Sequence, residues 1–441
     1  MSEELEKFIH TYQDILKSKT YSYTAKAQQY LCGLFQAEKR NIEKMCEKVV
    51  DSEMQSLTHF ISNAPWEWEP VIQRIGADTS REFEARERKT GLLVDESGWK
   101  KSGTQSVGVG RQYIGSLGKV ENGQVAVFVS LVQDTYVGMI DTRLYLPEAW
   151  TSDSVRCCKV GIPADKMRFQ TKPELALEMI RAARKNEIQY DWVGGDGLYG
   201  HDSAFRYALE DDGECYLVDV HNDETVYQEA PCPYIPDKKP GRGRTPTRYQ
   251  VDEAGLKVRD LVESLDDADF KEFCFRDGTK GGKRRQVWVQ AVYTWDGQEA
   301  TPRKEWLVVS RNPDGTDVKY SLCNARAARF GWCELLYMQM QRFWIEQSLK
   351  EAKGELGMAE YQVRTWRAWH HHITLTMLAH LFLLQQKLRH HQETPLLSCS
   401  DIRFILAQTL PQKVVTKEDV LDTIAQRHRR RQYDLDRYAE S

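Results

Sequence analysis

Residues 342–353 read Arg342-Phe-Trp-Ile-Glu-Gln-Ser-Leu-Lys-Glu-Ala-Lys353. The stretch lacks Gly and Pro and is rich in helix formers, which predicts an α-helix. At about 100° per residue, with Arg342 at zero, Glu346 falls near about 40°, Lys350 near about 80° and Lys353 near about 20°. Ile345, Leu349, Ala352 and Leu356 fall between about −80° and −20°. One carboxylate therefore sits among three cations, beside an apolar stripe that can dock on a core. Glu351, near about 180°, points away. Two readings fit. The helix is an exposed one laced with ion pairs at four-residue spacing, or it carries an acid to a site. The rest of the chain distinguishes them.

At 441 residues, 41% of them hydrophobic, the chain is globular and long enough for several domains. No apolar run reaches membrane-spanning length, the longest candidate being broken by His380. The start, Met-Ser-Glu-Glu-Leu-Glu-Lys, has no signal-peptide core. The ten cysteines show no Cys-x-x-Cys spacing, so reduced thiols in a cytoplasmic protein are expected, without a zinc knuckle or disulfide framework. A net charge of −4 argues against a protein that simply coats nucleic acid. Two local basic runs can still bind phosphates: Lys238 to Arg248, with five cations and no acid, and Arg427 to Arg431.

In chain order, residues 1–85 read as helical, with Leu5, Phe8, Ile9, Tyr12 and Ile15 at helical spacing. The character changes at about 86. Gly91-Leu-Leu-Val-Asp95 is a short apolar run ending in an acid, and Gln124–Val132 and Met139–Leu146 are strand-like. Thr171-Lys-Pro-Glu opens a helix to about Lys185. Tyr190-Asp-Trp-Val-Gly-Gly-Asp196 is a strand ending in a second acid; a helix at 203–210 and a strand at 214–220 follow. This alternation is α/β. Residues 221–304 break it with Pro231, Pro233, Pro236, Pro240 and Pro246, a Gly-Arg-Gly-Arg stretch and β-rich runs, as an inserted, mostly β subdomain would. The chain after Asn324 reads as helical to about Arg389. The expected divisions are 1–85 (helical, DNA-binding), 86–220 and 305–385 (two parts of a core), 221–304 (insertion) and 386–441 (helical).

Asp95 and Asp196 each end an apolar run, which would hold each acid rigidly at the rim of a sheet. For either alone a turn or cap role is open. A helix carrying Glu346 beside that sheet brings three carboxylates together. Such a set of hard oxygens suits Mg²⁺ or Mn²⁺. A pair of these ions about 3.5–4 Å apart activates a nucleophile and stabilises the leaving oxygen in phosphoryl transfer. Arg342, Lys350 and Lys353 would then hold DNA phosphates nearby.

Three stretches carry a family resemblance: Leu-Val-Asp95-Glu-Ser-Gly-Trp-Lys-Lys, Gly-Gly-Asp196-Gly-Leu-Tyr-Gly and Arg342-x₃-Glu346-x₆-Lys353, with weaker support from 106–113 and 361–367. The chain resembles the cut-and-paste DDE transposases of bacterial insertion sequences, in the group whose ribonuclease-H-like core has a β-rich insertion. The likeness spans roughly 55–385. It implies a mixed sheet flanked by helices and a triad of Asp95, Asp196 and Glu346 that binds Mg²⁺ or Mn²⁺. It also implies Arg342 and Lys353 as contacts to transposon-end DNA. Lys350 is added on helical geometry, and Arg242, Arg244 and Arg248 as backbone contacts from the basic loop. The family's helix signature begins with Tyr, where this chain has Gln339; Tyr337 is two residues out of register. The expected activity is cleavage at transposon ends and joining of the 3′-hydroxyl to target DNA. The expected protein is a homodimer on double-stranded DNA, nucleoid-associated, with no membrane partner. A nuclease of the same fold without strand transfer and a domesticated DNA-binding protein are the alternatives.

Other features attract blander readings. His370-His371-His372 cannot share one ion, since adjacent helical residues diverge by about 100°, and reads as a polar or DNA-facing stretch. Trp288, Trp295 and Trp306 are candidates for stacking on a flipped base, but core packing fits each better. Asp134 and Asp141 read as turn residues.

Overall fold

The computed structural model describes residues 1–238, 245–278, 281–414 and 416–439. It divides into two compact units, residues 1–67, 353–363 and 370–441, and residues 68–352 and 364–369. The first begins with α1 (Ser2–His10), α2 (Thr24–Gln36), α3 (Ile42–Cys46) and α4 (Met54–Ser62). Leu5, Phe8 and Ile9, one stripe of α1, are buried as their spacing requires.

In the second unit α5 (Trp68–Glu84) precedes β1 (Gly91–Lys100), β2 (Gly110–Ile114), β3 (Lys119–Gln133) and β4 (Tyr136–Leu144). β3 pairs antiparallel with β1, β2 and β4. Its residues from Gly123 to Gln133 are all buried and most are apolar, as in a strand covered on both faces. Asp134, at φ 55°, makes the turn into β4. Asp141 does not turn the chain: it lies within β4 and pairs with Arg143.

Short helices α6 (Glu148–Thr151) and α7 (Ser154–Lys159) lead to α8 (Lys172–Lys185). Thr171 caps α8 in a reciprocal box with Glu174, with Pro173 in the first turn. The crossover delivers β5 (Trp192–Gly195) parallel to β1. After α9 (Gly197–Gly200) and α10 (Ser203–Asp211), β6 (Leu217–Asp219) joins β5 through a parallel bridge between Val193 and Tyr216. The resulting order is β4-β3-β1-β5-β6, a mixed sheet with helices, so the class is α/β. β1 does not end at Asp95 as its apolar run suggests. It continues to Lys100 because β3 keeps pairing with it after β5 has stopped.

A second, antiparallel sheet grows from the other edge of β6. After β7 (Thr225–Val226), β8 (Leu256–Lys257) and α11 (Val258–Glu263) come β9 (Lys271–Gly278), β10 (Gly281–Thr294), β11 (Arg303–Arg311) and β12 (Lys319–Cys323), in the order β6-β12-β11-β10-β9. Alternation sends Trp288, Leu307 and Val309 to a core shared with Val258 and Leu261. Val287 and Val308 go to another core, shared with Leu335, Leu336 and Met340. Trp288 is thus a core residue.

Those last leucines belong to α12 (Trp332–Leu356). One helix to Arg389 does not form. Gly357, at φ 63°, follows α12 as a left-handed cap, and α13 (Trp366–Arg389) starts only after residue 365. α14 (Cys399–Thr409) and α15 (Lys417–Ala439) complete the chain. His370, His371 and His372 are buried and face neither solvent nor DNA. His371 reaches the carbonyls of Ile61 and Trp66 at 2.9 and 3.0 Å, and His372 meets the Tyr30 hydroxyl at 2.8 Å.

Gly200 lies so close to β6 that a Cβ there would overlap the Asp219 carbonyl oxygen. Gly200→Ala should therefore cost about 2 kcal/mol in urea unfolding, as overpacking against rigid backbone does. Gly331→Ala, with open space around it, should stay within about 0.5 kcal/mol.

Candidate active site

Register builds the site. β1 and β5 pair from Gly91 with Trp192 to Val94 with Gly195. The next residues on each are Asp95 and Asp196, which therefore emerge side by side, one strand spacing apart. Val193 bridges Tyr216, and three residues on from each lie Asp196 and Asp219. Three neighbouring parallel strands thus each deliver an aspartate at the same level. Because β5 ends at Gly195, the flank of β1 beside Asp95 is open where the acids gather.

The carboxylates of Asp95, Glu96 and Asp196 lie within 4.8 Å of one another. Asp95 is only 8% exposed and its Oδ1 accepts from the Glu96 amide at 2.7 Å. Asp196 caps α9, accepting from the Leu198 amide at 3.0 Å. Glu96 is held on both oxygens, by the Lys172 ammonium at 2.9 Å and the Tyr199 hydroxyl at 3.1 Å. Burial, then the charges of Asp196, Glu96 and Glu346, push the Asp95 carboxyl well above the usual range, against a downward pull from Arg342. Burial and Glu96 push Asp196 up to about 6.

Glu346 stands outside this group. Its side chain is 51% exposed and pairs with Arg342. A further negative charge beside three gathered carboxylates is unfavourable, and the guanidinium one turn earlier on α12 offers a countercharge. Glu346 is nevertheless near enough for its charge to raise the Asp95 carboxyl. The remainder of α12 agrees with the predicted face: Ile345 and Leu349 are buried, and Glu346 and Lys350 are exposed. Lys353 is half-buried in the last turn.

Arg342 faces inward. Its Nε lies 2.6 Å from Asp219 Oδ2, and its other arm meets Glu346. Burial disfavours its charge, but Asp219, Glu346 and Asp95 together raise its pKa. The sequence reading expects a phosphate contact here; in this structure the guanidinium is engaged by two carboxylates. Arg248 is exposed on its loop, whereas Arg242 and Arg244 lie outside the described residues.

The sequence reading missed Glu96 and Asp219. Asp219 carries the same signal as the two chosen aspartates, an acid closing the apolar run Tyr-Leu-Val. Glu96 carries none, because an acid following an acid on an expected strand end reads as solvated.

With this geometry in hand, relatives are informative. A family model described as DDE superfamily endonuclease matches residues 14–282, more than half of the chain. The chain belongs to that family. The match includes Asp95, Asp196 and Asp219 and stops before α12. A probable transposase for the insertion sequence element IS701 of Microchaete diplosiphon is 24% identical over 365 residues, covering 81% of this chain and 82% of the relative. The resemblance to DDE transposases of insertion sequences is thereby borne out. The solved piggyBac transposase synaptic complex with hairpin DNA aligns over 95% of this chain and 84% of its own, at 9% identity and a TM-score of 0.38. Family membership makes the chain an enzyme acting on DNA with a divalent metal. Among the described residues no helix is long and apolar enough to cross a membrane.

The raised carboxyl of Asp196 predicts a cost of ionisation. Its folded pKa, about 6, lies above the unfolded value. The associated stability is therefore complete below about pH 4 and is lost as pH rises through about 6. In chelator, Asp196→Asn should be more stable than the parent above pH 6, by about 2 kcal/mol, with the gap closing toward pH 4. Thermal melts across that range test this, and a parent that melts higher at pH 7.5 sinks it.

Proposed function

We propose that the chain is a Mg²⁺- or Mn²⁺-dependent transposase that cleaves phosphodiesters at transposon ends and joins the freed 3′-hydroxyl to target DNA. The observation that carries this reading is the register of β1 and β5, which sets Asp95 beside Asp196 within a matched DDE endonuclease region. The order β4-β3-β1-β5-β6, with only β5 and β6 parallel to β1, supports a ribonuclease-H-like core. The antiparallel strands between β6 and α12 support a β-rich insertion, assigned to 221–304 between core segments 86–220 and 305–385.

The donor set fits a hard divalent cation: three carboxylates within 4.8 Å, two of them raised in pKa by burial and mutual repulsion. Asp95, Asp196 and Glu346 would hold the metal, with Glu96 alongside. When bound, a divalent metal polarises a phosphodiester and lowers the pKa of water, and a pair clamps both attacking and leaving oxygens. The chain's own contributions are rigidity and charge. Asp196 is fixed by its cap hydrogen bond and Asp95 by its strand. Glu346 is carried by a helix whose apolar stripe is buried. Lys350, exposed one turn beyond Glu346, offers a phosphate contact. Lys353, and Arg242, Arg244 and Arg248 of the basic loop, would add backbone contacts. Residues 1–85 would recognise the ends, and a homodimer, with help from 386–441, would hold two of them.

Incubation with Mg²⁺, the element's inverted repeats and a target plasmid tests the reading. Joined products are expected. Cuts without joining would mean a nuclease, and band shifts without cuts a binding protein. Glu346→Gln should lower cleavage by about a hundredfold or more while keeping end binding. Normal cleavage in that variant, with Glu351→Gln inactive, would overturn the helix-face assignment. Lys350→Ala should weaken binding to all sequences alike and reduce the salt slope by about 1.

A further inference from the structure

Asp219 has no part in the three-carboxylate set, yet it stands at the same level on the next strand. Its two oxygens are both committed. Oδ2 faces Arg342 Nε at 2.6 Å, and Oδ1 accepts from the Ser321 hydroxyl at 2.7 Å. We propose that Asp219 is a positioning residue that fixes the Glu346 carboxylate through Arg342, an inference resting on the transposase reading above.

The hydrogen bonds behind Asp219 run in one direction. Arg285 Nε donates to the Ser310 hydroxyl at 3.2 Å. Ser310 donates to the Gln339 side-chain carbonyl. The Gln339 amide donates to Ser321 at 2.7 Å, and Ser321 donates to Asp219. Ser310, Ser321 and Gln339 are buried. Each member uses its proton toward Asp219, so the chain ends on an acceptor and favours a carboxylate there. Gln339 stands where the resembling signature has Tyr, and its amide supplies both an acceptor and a donor to this relay, which a phenol placed there would have to do with one atom.

The consequence falls on Glu346. An arginine and a glutamate one turn apart on a surface helix hold each other weakly, because both side chains are free. Asp219 removes that freedom from Arg342. Its guanidinium is 22% exposed and bridges a half-buried acid on a strand to an exposed acid on a helix. The exposed Glu346 is thereby referred to the same sheet that carries Asp95 and Asp196. A bridging guanidinium also limits where the carboxylate can go, because the cation it pairs with is itself tied to the sheet.

The test uses the full chain, an end-sequence duplex and Mg²⁺, with Mn²⁺ affinity measured by calorimetry as a readout independent of cleavage. Asp219→Asn should lower kcat for cleavage about tenfold and weaken Mn²⁺ about tenfold, the size of effect that partners behind ligands have. Affinity for end DNA should stay within about twofold of the parent. Ser321→Ala should act in the same direction, less strongly, and carries the test if Asp219→Asn does not fold. The double variant Asp219→Asn with Arg342→Gln should be no worse than Arg342→Gln alone, because both act through one carboxylate. Fully additive losses overturn the inference. So does the opposite split, with Arg342→Gln weakening DNA binding while Asp219→Asn leaves kcat and Mn²⁺ affinity unchanged, which would make Arg342 a phosphate contact. Cleavage by the parent chain in the same assay separates these outcomes from failure of the transposase reading. Without it, the Mn²⁺ measurement alone upholds or overturns the role of Asp219.

Discussion

The parallel pairing of β1 with β5, stepped on to β6, is the constraint from which the site follows. A parallel ladder repeats at one level across strands, so three aspartates at equivalent positions must converge. No loop has to be ordered to bring them together. The cost is electrostatic, since burial raises Asp95, Asp196 and Asp219, and repulsion from neighbouring carboxylates adds to it for Asp95 and Asp196. That cost is bearable because each acid has a partner within reach: backbone amides for Asp95 and Asp196, Ser321 and Arg342 for Asp219. Glycine makes the geometry possible. At Gly194 a Cβ would press on Leu93 and at Gly200 on β6, so the small residues around Asp196 are dictated by strand and helix approach.

Much of this was legible in the sequence. The buried run of β3 and the Thr171 cap of α8 have periodicities or residue types with one natural interpretation. The acids at Asp95 and Asp196 and the apolar stripe of α12 were visible too, though each had a second reading until they were taken together. What was hidden depends on pairing. That β1 outlasts Asp95 is decided by β3, thirty residues away, which goes on offering a partner. That Asp219 joins the same level is decided by the register of β6, which no local pattern encodes. Gly357 did carry a legible signal for the break after α12, and the helical run around it masked that signal. His370 to His372 looked polar because residue type was weighed and tertiary partners could not be. Tyr30 and the carbonyls of Ile61 and Trp66 satisfy His372 and His371 in the interior.

Arg342 shows what spacing alone leaves out. Helical geometry puts it beside Glu346, and a cation there invites a phosphate. Whether its charge is free depends on what lies on the other side. Asp219, a half-buried acid 2.6 Å away, engages it, and an acid largely withdrawn from water without a partner costs more than an exposed pair left unmade. The stronger demand therefore comes from the sheet, and Arg342 answers it first. Glu346 takes the remaining arm of the guanidinium. Lys350, one turn further along the helix, has no such neighbour in the sheet and stays exposed, which divides the cations of one helix face between holding the site and facing the solvent. Residues 342–353 are thus more than a surface ion-pair helix, because a single aspartate from a neighbouring strand ties one of their cations to the sheet.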